Sequence, residues 1–445
     1  MQAGSGDKKG FIMNLFKLAA ERGTDRPIGV GLIGAGKFAS MFLTQVPTMT
    51  GLRVAAIADL NPDGARARLK HVGWDDGRIA ATHMSDNGLD IVTRDDVDVV
   101  IEATGDPVAG VRHALAAIAA GKHVVMVNVE ADVLAGPAMA KRARSAGLVY
   151  SMAYGDQPAL ISEMVDWARA AGFSVASAGK GTKYLPEYHG VTPDTVWDHY
   201  GLSAEQARVA GMNSQMFNSF LDGTKSAIEM AAVANGCGLN VPTDGLVFPP
   251  SSVDDLASIL CPASVGGQLE GEGYVEVVSS LHRDGSEVEK DLRWGVYVIL
   301  KAPTAYSADC FRQYGLKTDA SGQYAAMYKP YHLIGLELGI SVYSAALRGE
   351  ATGSSATFRG DAVSVAKRDL KAGETLDGEG GFTVWGRLMP AEDSVAMSAL
   401  PIGLAKDVVV TRDVAAGAVL SMADVQVDET TEAFAMRQET LKLTG

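Results

Sequence analysis

The chain has 445 residues, a formal net charge of −14, and 47% hydrophobic against 21% charged residues. That length predicts two or three domains with ample core. The acidic balance excludes nucleic acid or an anionic membrane surface as the main partner, while leaving room for a local basic pocket. Three cysteines, Cys237, Cys261 and Cys310, share no metal-like spacing and are too few for a disulfide framework. A reducing cytoplasm is the expected compartment. No apolar run reaches the length of a membrane span. The leading MQAGSGDKKGF lacks the apolar core of a signal peptide, and Met13 reads as the natural start.

The first informative stretch runs from Ile28 to Asp59. An apolar run, Val30 to Ile33, breaks into Gly34-Ala35-Gly36-Lys37-Phe38-Ala39. A helical segment follows, then a second apolar run, Val54 to Ala58, ending on Asp59. Strand, glycine turn, helix, strand and acid come in the order of a dinucleotide-binding unit. Gly34 allows the tight turn, Gly36 lets the backbone approach a pyrophosphate, and Ala39 lets the helix pack on the sheet. The helix N-terminus, with Lys37 and Phe38 in its first turn, then points N–H groups at phosphates. Asp59 would hydrogen-bond an adenosine ribose and favour NAD. Arg66 and Arg68 follow closely, and an arginine there accommodates the extra phosphate of NADP. Sequence leaves both open.

The same rhythm continues. Asp98 to Ala103 reads as a buried strand closed by Thr104-Gly105-Asp106-Pro107, then a helix to Gly121. A further strand, His123 to Val127, ends at Asn128-Val129-Glu130. A helix from about Pro137 to Ser145 leads into the strand Leu148 to Ala153. Alternation of this kind predicts a parallel, doubly wound sheet with ligands beyond its C-terminal strand ends. Thr104, Gly105, Asn128 and Glu130 therefore count as candidates to line a nicotinamide. Plain turn chemistry is the alternative for each.

A second domain begins near Gly155, with a helix opened by Pro158. The strand Ser174–Ala178 runs into Gly179-Lys180-Gly181-Thr182-Lys183-Tyr184, a loop suited to an anionic substrate or simply to solvent. Further on, Ser214, Asn218, Asp222, Lys225 and Glu229 are spaced 4, 4, 3 and 4, which puts them on one face of a single helix. Apolar residues cover much of the remaining circumference, so the polar stripe is expected to face a cleft. A lysine flanked by two carboxylates can transfer protons, stabilise an oxyanion or ligate a metal. A solvated face of salt-bridged side chains is the competing reading. Tyr274–His282 and Trp294–Leu300 resemble a hairpin around Arg283-Asp284-Gly285. A helix is expected after Pro330, with Tyr328, Lys329, Tyr331 and His332 at its start, where an anion is favoured. Leu333–Leu347 is apolar enough to pack back on the first domain. From about Ala362 a repeat appears, RDLKAGETL at Arg368 and RDVAAGAVL at Arg412, each after a β-rich run. It marks a small β domain, with an interaction or capping role expected.

The predicted architecture is α/β: a Rossmann domain (13–155), a central α+β catalytic domain (156–350) and a small C-terminal β-rich domain (358–445). Through GAGKFA, EATGDP and VVMVNVE the first two domains resemble homoserine-dehydrogenase-like oxidoreductases, and the repeat resembles a SAF domain. With AGKGTKYLPEYHG, NSFLDGTKSAIE and KPYHLIGLE, the whole is similar to 1-deoxy-D-xylulose 5-phosphate reductoisomerase-like enzymes. It lacks the GSTGSIG-like loop of the ordinary reductoisomerases, and Glu130 stands where homoserine dehydrogenases have lysine. The resemblance implies NADPH, a divalent metal (Mg²⁺ or Mn²⁺), a small phosphorylated sugar substrate and 2-C-methyl-D-erythritol 4-phosphate as product. On that reading Asp222 and Glu229 ligate the metal, and Lys225, with Lys183 near, serves proton transfer. Lys180, Ser214, Asn218, Tyr328 and His332 contact substrate. The alternatives are a dehydrogenase acting on another small aldehyde or hydroxy acid without rearrangement, and a non-enzymatic nucleotide sensor. A homodimer is the expected assembly.

Overall fold

A computed structural model describes residues 14–23 and 25–443. The proposed start at Met13 lies outside the described residues. Six strands, β1 (Ile28–Ile33), β2 (Leu52–Ala58), β3 (His83–Ser85), β4 (Val99–Glu102), β5 (His123–Met126) and β6 (Tyr150–Met152), form one sheet. Their order is β3-β2-β1-β4-β5-β6, and every pair is parallel. The strand order reverses between β1 and β4, which leaves a crevice beyond their C-terminal ends. Both faces are covered, so the strands read as unbroken apolar runs with Val30, Leu32, Val99 and Ile101 fully buried. Among the described residues no helix is long and apolar enough to cross a membrane.

The helix after β5 starts earlier than the sequence suggests, at Val129 and not near Pro137. Asn128 is its N-cap, accepting from the Ala131 N–H at 3.0 Å. Glu130 therefore sits on a first helical turn. Most of this helix is buried, because it is sandwiched between the sheet and the rest of the chain. The C-terminal helix Glu432–Leu441 packs along it, with Arg142 paired to Glu439.

The central unit holds β7 (Ser174–Thr182), β8 (Tyr274–Ser279), β9 (Val296–Lys301) and β10 (Tyr324–Lys329), in the order β10-β9-β7-β8. Here several expectations give way. The expected hairpin is absent, because β7 lies between β8 and β9, parallel to the first and antiparallel to the second. Gly179-Lys180-Gly181 is strand, not loop. A Cβ on Gly179 would fall 1.8 Å from the Glu276 carbonyl, and one on Gly181 2.0 Å from that of Leu292. These glycines serve close backbone approach. Lys180 shares the face of Ala178, two residues back, and is directed at the helices behind the sheet. The segment after Pro330 is turn and coil, and the helix begins only at Gly339. Leu338 and Val342 are buried with Val30 and Phe42 of the first domain.

The C-terminal unit holds β11 (Gly360–Ala366), β12 (Thr375–Asp377), β13 (Val384–Pro390), β14 (Lys406–Val410) and β15 (Val425–Gln426). Its two repeats pair with each other. The Leu370 N–H donates to the Val414 carbonyl at 2.8 Å, and the Val414 N–H returns the bond at 3.0 Å. Asp413 accepts from the Ala372 N–H at 3.0 Å and Asp369 from the Ala416 N–H at 2.9 Å. The repetition in sequence is thus a local two-fold pairing.

Candidate active site

At the glycine turn, Gly34 has φ +90°, and a Cβ there would lie 2.6 Å from the Ala103 carbonyl. Only glycine meets both conditions. Gly36 caps the helix Lys37–Gln45 in an extended conformation, and a Cβ on it would meet nothing within 4 Å. That open space faces the first turn, where Lys37 and Phe38 lie, while Ala39 is buried against the sheet. The cradle fits the pyrophosphate of a dinucleotide. Asp59 accepts from the Ala35 N–H at 2.8 Å and the Asn61 N–H at 2.9 Å. Its first duty is therefore to brace the glycine turn. Arg68 faces it at 3.9 Å, whereas Arg66 turns away to pair with Asp63 at 3.0 Å. Of the two arginines, Arg68 is the one held beside Asp59 at the end of β2.

At the end of β4, Glu102 is fully buried. It takes the Thr104 hydroxyl at 2.5 Å and lies 3.2 Å from His113 Nδ1. Asn128 donates to the Asp106 carbonyl at 2.8 Å. Thr104 and Asn128 are thus tied into the loops that shape the crevice, and Gly105, exposed with φ +73°, forms the tip. Glu102 was not among the expected residues, although an acid at the close of an apolar strand is a readable signal.

A second cluster of charged side chains centres on Lys225. The expected single helix is two, Ser214–Leu221 and Thr224–Cys237, separated by Gly223 at φ +90°. Asp222 is the C-cap of the first, and its carboxylate accepts from the Thr224 N–H at 2.9 Å at the start of the second. The stripe is therefore split, and each part has its own role. Lys225, on the first turn of the second helix, makes an ion pair with Glu130 across the domain boundary. Burial disfavours its charge. Glu130, Glu379, Glu229 and Asp156 outweigh that and hold its pKa well above the ordinary lysine value. One turn along, Glu229 pairs with Lys180, whose Nζ also donates to Gln157 Oε1 at 3.0 Å. Asp156, the N-cap of the helix Gln157–Ala170, has its carboxyl pushed up by burial and by Glu229, against Lys225 and His332. His332 Nδ1 lies 2.7 Å from the Trp294 carbonyl.

Asp222 plays a different part from the one expected. It is fully buried and lies 2.8 Å from Lys367 Nζ, at the close of β11. One of its oxygens accepts from the Thr224 N–H, the other has no hydrogen-bond partner but is neutralised by the Lys367 ammonium, and Glu229 is paired with Lys180. The pair does not fit a divalent cation, and no group of three or more potential ligands occurs among the described residues. Asn218, also fully buried, donates to the Val191 and Gly380 carbonyls at 3.0 and 2.8 Å. It clamps loops instead of facing substrate. Ser214 begins the first helix, distant along it from Asp222. Lys183 donates to the His199 carbonyl, and burial together with Arg293 pushes its pKa down. Tyr328 is half exposed on β10. Asp156, Gln157, Lys367 and Glu379 went unnoticed in the sequence, since they come from three segments far along the chain from Lys225.

Residues 29–150 match the family model described as homoserine dehydrogenase, NAD binding domain, and residues 155–338 that described as oxidoreductase DRL, catalytic domain. The chain thus carries a homoserine-dehydrogenase-like NAD-binding domain followed by an oxidoreductase catalytic domain. No curated protein matches it. Among solved structures, a 3-ketoreductase from Actinomadura kijaniata in complex with NADP is 21% identical, with 36% of this chain and 48% of that one covered and a TM-score of 0.25. The myo-inositol dehydrogenase of Lactobacillus casei, in complex with NAD(H) and myo-inositol, is 17% identical, with coverage of 38% and 50% and a TM-score of 0.28. This chain thus spans about half the length of each.

Proposed function

We propose that this protein is an NADPH-linked oxidoreductase that reduces the carbonyl group of a small anionic substrate. The supporting observation is the placement of Lys225, paired with Glu130 on the first turn after β5, beside the crevice where a dinucleotide lies in such sheets. A bound nicotinamide supplies the hydride. The Lys225 ammonium, kept charged by its ring of carboxylates, stabilises the oxygen on which negative charge develops. Glu130, Glu229 with Lys180, and Asp156 fix the lysine's direction and exclude water. Arg68, facing Asp59, favours NADPH over NADH.

Within this class the specific reading is conversion of 1-deoxy-D-xylulose 5-phosphate to 2-C-methyl-D-erythritol 4-phosphate, with isomerisation preceding reduction. The long strings AGKGTKYLPEYHG and NSFLDGTKSAIE carry Lys180, Lys183, Lys225 and Glu229. The like charges of Lys183 and Arg293 would both be relieved by a phosphate. The test mixes the protein with NADPH and the phosphoketose, with and without Mg²⁺ or Mn²⁺, and follows NADPH absorbance together with product identity. Oxidation of NADPH with formation of the branched polyol phosphate is expected. Turnover of simple aldehydes or hydroxy acids alone leaves a dehydrogenase without rearrangement. Failure to bind either dinucleotide overturns both readings.

A further inference from the structure

A cleft of about 440 Å³ opens at the N-terminal ends of β1 and β2, at the far end of the sheet from the glycine turn. That volume suits a small organic ligand. One wall follows from a proline. Pro47 has no N–H to give the Leu43 carbonyl four residues back, so the helix Lys37–Gln45 ends in a short 3₁₀ turn, Val46–Thr48. The buried Trp74 takes up that carbonyl, its indole N–H donating at 2.7 Å. The short helix Asp76–Ala81 forms the opposite wall. From behind, Tyr343 Oη donates to the Thr50 carbonyl at 2.7 Å. The cleft is thus preformed, and Val46, Pro47, Met49, Leu52 and Trp74 make one side of it apolar. Its charged lining is of one sign, Arg53 and Arg78 with no acidic side chain, in a chain of net charge −14. Arg53 is already paired with Asp96 at 3.3 Å. Arg78 is not. Among the described residues its guanidinium makes no ion pair or hydrogen bond, and it lies 5.6 Å from the Trp74 ring centroid. The acids beside it in the chain are engaged, Asp75 by the Arg78 N–H at 2.8 Å and Asp76 by Lys70 at 3.1 Å.

We propose that this cleft is a second ligand site, separate from the dinucleotide crevice, and that it takes a small organic anion. Arg78 pairs with the anionic group, a carboxylate, sulfonate or phosphate ester, while the apolar side covers the carbon body. An exposed ion pair alone is worth little in water, so a bare inorganic anion is not retained. Burial of the apolar body supplies the rest of the affinity. The site requires neither the nicotinamide nor the carbonyl reduction proposed above.

The test titrates the full chain, in saturating NADPH, with 8-anilinonaphthalene-1-sulfonate, whose fluorescence rises in an apolar site. The uncharged N-phenyl-1-naphthylamine is titrated in parallel. One saturable sulfonate site per chain is expected, with the uncharged dye about tenfold weaker or more, and excess inorganic phosphate should not displace the sulfonate. Arg78→Met should weaken the sulfonate by about tenfold and leave the uncharged dye as in wild type. Ala81→Phe, which narrows the cleft from the short helix, should weaken both dyes. Both positions are exposed, so both variants should melt where wild type does. Absence of saturable binding, equal affinity for the two dyes, or wild-type sulfonate affinity in either variant overturns the proposal. Because NADPH blocks the dinucleotide crevice and the variants lie at the other end of the sheet, sulfonate bound at the glycine turn gives wild-type affinity in both variants and so counts against it.

Discussion

Gly34, Gly36, Ala39 and Asp59 lie within one strand–helix–strand segment, whereas Lys225 is ringed by Glu130, Asp156, Glu229 and Glu379 from four separate places in the chain. The dinucleotide end is set by local backbone conformation, a positive φ and a bare helix start. The charged end is set by packing: helix Val129–Ser145, helix Thr224–Cys237, a strand-borne lysine and a loop of the C-terminal unit must all dock before the charges meet. A change at the first end should alter binding with little cost to the fold. At the second end, stability and chemistry are coupled, since the same side chains hold the units together.

That contrast can be broken most forcefully at Lys367. Lys367→Met leaves the fully buried Asp222 without its cation, and such orphaned charges cost about 3–5 kcal/mol. The urea midpoint should fall sharply, and the C-terminal unit should become protease-sensitive; an unchanged midpoint would show that the interface does not depend on this pair. Next in size, Lys225→Met should lower kcat on the order of 10²–10³-fold, as loss of one oxyanion-stabilising group does. Dinucleotide affinity, read by fluorescence titration, should hardly move. If affinity falls with kcat, the two ends are not separable.

A smaller effect is expected at the cofactor end. Gly36→Val fills the open space over the helix start and should weaken dinucleotide binding by about tenfold, roughly 1.4 kcal/mol. The melting temperature should stay the same, and a lower one would mean that the loop is strained by its side chain. Smallest of all is a pH effect at Asp132, buried with Tyr150 and Ser355, whose carboxyl is raised from 3.8 to about 6 by burial. An acid whose pKa rises on folding lends stability below its unfolded value and loses it as pH climbs through the folded one. Asp132→Asn should therefore flatten the decline in stability between those two values, as measured by denaturation at stepped pH. A slope equal to wild type would remove Asp132 from the account.

Much of the cofactor end was legible because its determinants are sequential. The charged stripe was legible only as residue types. Its spacing is helical, but Gly223 breaks the helix, so Asp222 turned from presumed ligand into a helix cap held by Lys367. Lys180 had a similar fate: glycines on both sides looked like an anion-binding loop, while β8 and the Leu292–Arg293 turn ahead of β9 press so close that only glycine fits. Glu379 could not be singled out, since nothing near it in the chain distinguishes it from an exposed turn acid.

By itself, then, the order of apolar runs, glycines and caps determined the alternating strands and helices of the doubly wound sheet, the dinucleotide turn and the repeat in the C-terminal unit, because those are patterns written within short stretches of chain. Which carboxylates meet which lysines was decided only by tertiary packing. Charge pairing at low exposure depends on what is brought within a few ångströms through space, and the partners of Lys225 lie as far along the chain as Glu130 and Glu379.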